Sequence, residues 1–465
     1  MDRRSFLKFA ALTSGVAAGV AAASYYGSQL FEVTNTSIES LGNQTLASDQ
    51  TGRSWQIPHL LRRAGFSASP EELASYQDME FNDAVDSLLN YESFDESNLP
   101  KRPNITMSYT RRPSAKEVGN LIWWWVERMV NTPNPLEEKM TLFWHNHFAT
   151  AIYKVRSPYL MFKQNQLLRS RGMGDFKDLL MGVTEDPAML IWLDGYRNRK
   201  GTPNENYGRE VMEVFTLGRG NYTEDDVHAA ASALTGYTLD KTANTHFNTN
   251  FHDTSQKTFL GQTGNFDPED IVHILANHSA TAQKLATELF QYFAYTNPSS
   301  DIVNSLAQVY TNSGRNIKAV VEAILKSDDF VSQQAYLAQV KSPVEFVVDS
   351  LRSLGANVKP SAAIRALNNM GQLPFNPPDV FGWPSGLAWV NTSTVLQRIN
   401  FPLQLHTSTQ NGDSIDSIPR ILFPEGLPEE VTQAIQNSTA AFTTAEDRER
   451  NILRLTMASP FYNLN

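Results

Sequence analysis

Glu210 and Glu213 stand three apart in the segment Asn204-Glu205-Asn206-Tyr207-Gly208-Arg209-Glu210-Val211-Met212-Glu213. On a helix that spacing puts both carboxylates on one face. Converging carboxylates can hold one cation, or can divide the work of general acid and general base. Arg209 lies beside them and stands four from Glu205, a spacing that forms ion pairs. His145 and His147 occur in Phe143-Trp144-His145-Asn146-His147-Phe148. His147 falls on the apolar stripe of Leu136, Met140 and Phe143, while His145 shares a flank with Glu138 and Leu142. A buried imidazole must be hydrogen-bonded or bound to metal, so the pair is a candidate for ligating a divalent metal. Their spacing differs from that of zinc proteases, whose histidines stand four apart. His252 and Asp253, with His246 before them and Lys257 after, lie in a non-helical stretch. Loops carried on a rigid body are where sites tend to form.

Each candidate has a structural counterpart. Charges at helical spacing commonly form a solvated, salt-bridged face. Buried histidines are commonly satisfied by backbone or carboxylate. Chain neighbours such as His252 and Asp253 usually point apart. His228, His273, His278 and His406 fall on helices or helix ends and are read as structural. Trp383 and Trp389 occupy a Pro- and Gly-rich loop, where aromatics serve either as platforms for sugar rings or as plugs for the core.

Composition removes other chemistries. The chain has no cysteine, which excludes disulfides, thiolate nucleophiles, iron–sulfur clusters and c-type haem attachment. No glycine-rich phosphate loop, dinucleotide fingerprint or Gly-x-Ser-x-Gly elbow is present. A net charge of -10 argues against nucleic acid and against anionic membrane surfaces as partners.

The elements that must position these groups are helices. Ser69-Pro70-Glu71-Glu72 is a helix start, with Ser69 as cap and Pro70 at the first helical position. Thr223 and Asp226 form a capping box. Asn204 or Asn206 caps the helix carrying Glu210 and Glu213, which ends by Gly218. Periodicity predicts further helices over 115–130, 159–169, 176–193, 267–276, 281–295, 302–311, 317–326, 343–354, 362–370, 394–406 and 445–457. The stretch 236–261 reads as a short hairpin-like excursion. Residues 374–389 cannot be a helix, and 411–429 read as a loop-rich connector. The fold class is therefore mainly α: a large multi-helix globular domain over 55–465, with one short β excursion and long ordered loops.

Asp2-Arg3-Arg4-Ser5-Phe6-Leu7-Lys8, followed by a mild Ala/Gly/Val-rich segment to Ala23, reads as a twin-arginine signal peptide over 1–23. Residues 24–54 read as a flexible tether. The apolar segment is too short and too broken for a lasting membrane span, so no integral membrane domain is expected after signal removal. The expected location is periplasmic or extracellular.

The same segments carry a resemblance. The pieces are His59-Leu60-Leu61-Arg62-Arg63-Ala64-Gly65-Phe66, Phe143 to Phe148, Asp186-Pro187-Ala188-Met189, Asn204 to Gly218, Tyr222 to Val227, His252-Asp253, Lys257 to Gly261, and Pro377-Pro378-Asp379 through Gly382-Trp383-Pro384 to Asn391-Thr392-Ser393. In this order they resemble the domain-of-unknown-function 1800 family of exported bacterial proteins, over nearly the whole chain from Trp55. The resemblance implies an exported, largely helical protein, often encoded beside an exported sulfatase-like family, and no established reaction.

The expectation is an extracytoplasmic hydrolase of an envelope or extracellular polymer. Glu210, Glu213, His252, Asp253 and Arg209 would do its chemistry, and His145 and His147 would bind a divalent metal. The alternative is a non-catalytic scaffold or partner of an exported sulfatase-like protein. A site in which His145, His147, Glu210 and His252 meet around one cavity favours the enzyme. Histidines buried apart, each bonded to backbone, favour the scaffold.

Overall fold

Caps and prolines cut this chain into short helices. The computed structural model describes residues 54–106, 112–406 and 417–465. The expected signal at 1–23 and all but the last residue of the expected tether lie outside the described residues. Among the described residues there are 21 α-helices and two small two-stranded antiparallel sheets. None of these helices is long and apolar enough to cross a membrane.

The helix starts follow from local hydrogen bonding. The Ser69 hydroxyl accepts from the Glu72 amide at 3.1 Å ahead of Pro70. Thr223 and Asp226 exchange both bonds of a capping box. Asn204 caps the Glu205–Glu213 helix. The helix expected over 176–193 is divided into Phe176–Glu185 and Pro187–Trp192. Asp186 takes an extended backbone there and, though buried, accepts from the Met189 amide at 2.8 Å, while Pro187 opens the second helix. The apolar period runs through this break and hides it. The helix expected over 394–406 stops at Asn400, and a 3₁₀ turn, Phe401–Gln404, takes over. Pro402 has no amide hydrogen to continue an α-helix.

The excursion after Gly236 is two hairpins where one was expected. β1 (Tyr237–Leu239) pairs with β2 (Thr245–Phe247), Tyr237 opposite Phe247. β3 (Lys257–Phe259) pairs with β4 (Gln262–Gly264), Lys257 opposite Gly264. The Asp240 carboxylate closes the first turn by accepting from the Thr242 and Asn244 amides. Leu260 and Gly261, both at positive φ, make the second. The expected connector over 411–429 contains a short helix, Ile418–Leu422, within its described part.

The Pro135–His147 helix lies at the centre. It buries Leu136, Met140, Leu142, Phe143 and Trp144, but also Glu138, Lys139, His145 and His147. An apolar stripe cannot account for the polar four, so each must find a partner. Glu138 is fully buried and accepts from Arg169 Nε at 2.6 Å, Arg169 Nη2 at 2.8 Å, Trp125 Nε1 at 2.8 Å and Arg128 Nε. Arg128 also holds Glu96 at 2.7 Å. Lys139 pairs with Glu345 on the Pro343–Ser353 helix. Charge thus joins the central helix to helices on several sides.

Breaking a buried pair leaves its partner charged and unmatched, at roughly 3–5 kcal/mol. Glu138→Ala is expected to destabilise the protein on that scale, measured by denaturant unfolding. Glu446→Ala, at an exposed pair with Arg450, should leave the unfolding midpoint in place. Equal midpoints for wild type and Glu138→Ala would refute this role for Glu138.

Candidate functional site

The last turn of the central helix assigns three consecutive side chains to three different tasks. His145 Nε2 accepts from the Phe375 amide at 3.0 Å, so its proton sits on Nδ1. Asn146 Oδ1 accepts from the Trp383 amide at 2.6 Å. His147 Nε2 faces the Phe215 carbonyl at 3.0 Å, and its Nδ1 faces Glu288 Oε2 at 3.0 Å. Both ring nitrogens of His147 therefore meet acceptors. An imidazolium satisfies both, as does an imidazole sharing its second proton with the carboxylate.

His147 and Asn146 border a cleft of about 1030 Å³. The cleft is also bordered by Glu213 and Arg219 after the Glu205–Glu213 helix, by Lys284 and Glu288 of the Ser279–Phe293 helix, and by Phe381 of the Pro-rich loop. Glu213 accepts from Tyr222 Oη at 2.7 Å and from Arg219 Nε at 2.6 Å, and these bonds hold its carboxyl below the ordinary range. Glu288 accepts from Lys284 Nζ at 2.5 Å as well as facing His147. Burial pushes Glu288 up, but the charges and hydrogen bonds of His147 and Lys284 outweigh it and hold it low. Its side chain keeps 30 % of its surface open. Two ionised carboxylates on different elements thus reach one solvent-filled space, each matched by a cation.

The expected constellation is not assembled. Glu213 and His147 share the cleft, whereas His145, His252, Asp253, Arg209 and Glu210 do not line it. Glu210 is half-buried with its carboxyl raised, first by burial and then by Glu213. Arg209 clasps Glu224 at 2.8 Å and Glu205 at 3.2 Å, tying its helix to the Glu224–Ala233 helix. Those helices approach so closely that a Cβ on Gly208 would meet the Ala231 amide nitrogen at 3.1 Å. His252 is bonded through Nδ1 to the Thr235 carbonyl at 3.0 Å. Asp253 accepts from the Ser255 amide at 2.9 Å, and Lys257 is spent on the carbonyls of Asp253 and Ser255. This corner is a folded loop base. His145 and His147 do not form a metal pair, because the lone pair of one takes the Phe375 amide and both nitrogens of the other face acceptors. Among the described residues no group of three His, Asp or Glu side chains could hold a metal ion. Trp383 and Trp389 are buried plugs, not platforms.

Sequence reasoning did not single out Glu288, Lys284, Arg219 or Phe381. Lys284 and Glu288 at four apart look like any surface ion pair, and only the fold brings His147 beside them. A separate group was also hidden: Glu137 is pushed up to about 7, by burial and then by Glu138 and Glu96.

Burial lowers His145 from its ordinary 6.5 to about 3. The unfolded chain therefore binds a proton that the folded chain refuses, and stability falls as pH drops through that window. Between pH 6.5 and about 5, above the ordinary carboxylate range, the loss is expected to come from His59 and His145, both lowered first by burial, while Glu137 and Asp186, each pushed up to about 7 first by burial, take up protons in the folded state and offset part of it. Denaturant unfolding across this range should show a slope that His145→Gln reduces. An unchanged slope in that variant would count against a neutral, buried His145.

Neither the curated proteins nor the solved structures contain a match to this chain. The family described as "Protein of unknown function (DUF1800)" matches residues 59–464, which takes in the central helix, every wall of the cleft and both clamps on its loop, and the chain belongs to that family.

Proposed function

We propose that this protein is an exported hydrolase of an envelope or extracellular polymer, working by acid–base chemistry in the Glu213–His147–Glu288 cleft. The observation that carries the reading is that two ionised carboxylates and an imidazole border one open cleft of about 1030 Å³. Glu213, kept ionised by Arg219 and Tyr222, is the group that takes a proton from water. His147, whose Nδ1 faces the ionised Glu288 at 3.0 Å, is the group that delivers a proton to a leaving group, and Glu288 keeps it aimed. A base and an acid held apart on separate elements are what hydrolysis needs, and each contributes about 10²–10⁴-fold to such reactions. Export rests on Asp2-Arg3-Arg4-Ser5-Phe6-Leu7-Lys8 and the segment that follows.

A second reading has its own support. His59, His145, His147 and His252 each bond a backbone group, as expected of a structural network in a scaffold that partners an exported sulfatase-like protein.

The test is hydrolysis of purified sacculi, a soluble exopolysaccharide and casein by the exported protein. Glu213→Gln and Glu288→Gln should each lower turnover by about 10²-fold or more, with Tm nearly unchanged. No turnover on any of these polymers, or turnover indifferent to both substitutions, would sink the hydrolase reading and leave the scaffold.

A further inference from the structure

The Pro-rich loop is fastened at both ends by neighbours on one helix turn. His145 takes the Phe375 amide and Asn146 takes the Trp383 amide. Between these clamps the loop folds on itself: Asp379 Oδ1 accepts from the Phe381 amide at 2.8 Å, and the Asp379 carbonyl accepts from the Gly382 amide at 3.3 Å. Gly382 has φ +80, and a Cβ there would meet the Asn146 carbonyl and side-chain oxygens at 2.4 Å. Only glycine lets the loop press this close. The outcome is that Phe381, followed by the buried Gly382 and Trp383, is 59 % exposed and borders the cleft.

A lone exposed apolar side chain is ordinary. Phe381 differs in being held on a tightly bonded turn beside the carboxylates of the cleft. The lining around it has a consistent character. Gln291 and Gln334 border the same space, and their side-chain amides have no hydrogen-bond partner among the described residues. Glu213 and Glu288 are each matched by a cation, so the wall offers little net charge. An aromatic face, unspent amides and paired carboxylates match a ligand with a flat apolar face and a rim of hydroxyls. They match an extended peptide poorly, since peptide binding uses an exposed strand edge or apolar side-chain pockets.

We propose that Phe381 is the stacking platform of a saccharide subsite in this cleft, with Gln291 and Gln334 reading the ring hydroxyls, and that the polymer is a glycan. This deepens the hydrolase reading and rests on it for the choice of cleft. Binding and cleavage remain separable, because the platform needs neither carboxylate to react.

The experiment is calorimetric titration of the full chain, and of Phe381→Ala and Phe381→Trp, with cellohexaose, chitohexaose, maltohexaose and xylohexaose, and with hexa-alanine as the peptide control. Products are analysed in the same samples. At least one hexaose is expected to bind. Phe381→Ala should weaken it by about tenfold or more, Phe381→Trp should retain it, and Tm should be equal in all three. The subsite is overturned if no hexaose binds, if hexa-alanine binds in their place, or if Phe381→Ala binds as well as wild type. Phe381-dependent binding without cleavage would uphold the subsite and remove the hydrolase. Cleavage that is indifferent to Phe381 would do the reverse.

Discussion

The structure depends on neutralising Glu138. A carboxylate at full burial is tolerable only when its charge is matched and its lone pairs are filled. Glu138 meets both conditions with two guanidinium groups and an indole. Burial alone would raise its carboxyl, yet Arg169 and Arg128 hold it low. These partners come from the Ala115–Asn131 and Pro158–Arg171 helices, so the ion network fixes how those helices sit against the central one. Apolar packing is tolerant of small rotations and slips. A charge requiring several bonds is not, and the orientation of the central helix follows from it.

That orientation decides what the end of the helix can reach. One residue on from Glu138, Lys139 draws in the Pro343–Ser353 helix through Glu345. The same region pairs Lys341 with Asp349, and the Lys341 ammonium lies 3.9 Å from the centre of the Tyr462 ring. Two turns further, His145, Asn146 and His147 face the Pro-rich loop and the cleft. A helix turned by one residue would exchange their roles, offering the loop clamp where the histidine facing Glu288 stands. The cleft is therefore positioned by groups that lie well below it.

Much of this was legible in the sequence. Helix identity follows from period and from caps such as Ser69, Thr223 and Asn204, whose bonds are local and depend on few residues. The pieces that resembled the family held as well, with residues 59–464 matched. Boundaries inside continuous apolar periods were not legible, as at Asp186, because a cap followed by proline leaves the hydrophobic pattern intact. The site was legible only in part. His147 and Glu213 could be named, since polar residues on apolar faces stand out. Glu288 could not, because its partner lies 141 positions away and its local pairing with Lys284 is ordinary. His252 and Asp253 drew attention by type, but the Thr235 and Ser255 bonds that absorb them depend on a turn the sequence does not reveal. Whether Trp383 and Trp389 serve as platforms or plugs was open in the sequence for a related reason. Their loop turns its largest rings inward and leaves Phe381 out.

The histidines bear on the choice between enzyme and scaffold more subtly than burial alone suggests. Three of the four buried imidazoles spend a nitrogen on backbone and do not line the cleft of His147, which is a pin's behaviour. His59 bonds the Phe330 carbonyl, His145 the Phe375 amide, and His252 the Thr235 carbonyl. His147 also spends one nitrogen on backbone, but its other nitrogen faces a carboxylate that reaches solvent. A pure scaffold has no need to place a histidine–carboxylate pair at the border of a cleft, where desolvating it is costly. An acid–base site needs that arrangement, with one nitrogen fixed so that the other keeps its aim. Two positions of one helix turn thus separate the two demands: His145 holds the loop, and His147 faces the carboxylate at the border of the cleft.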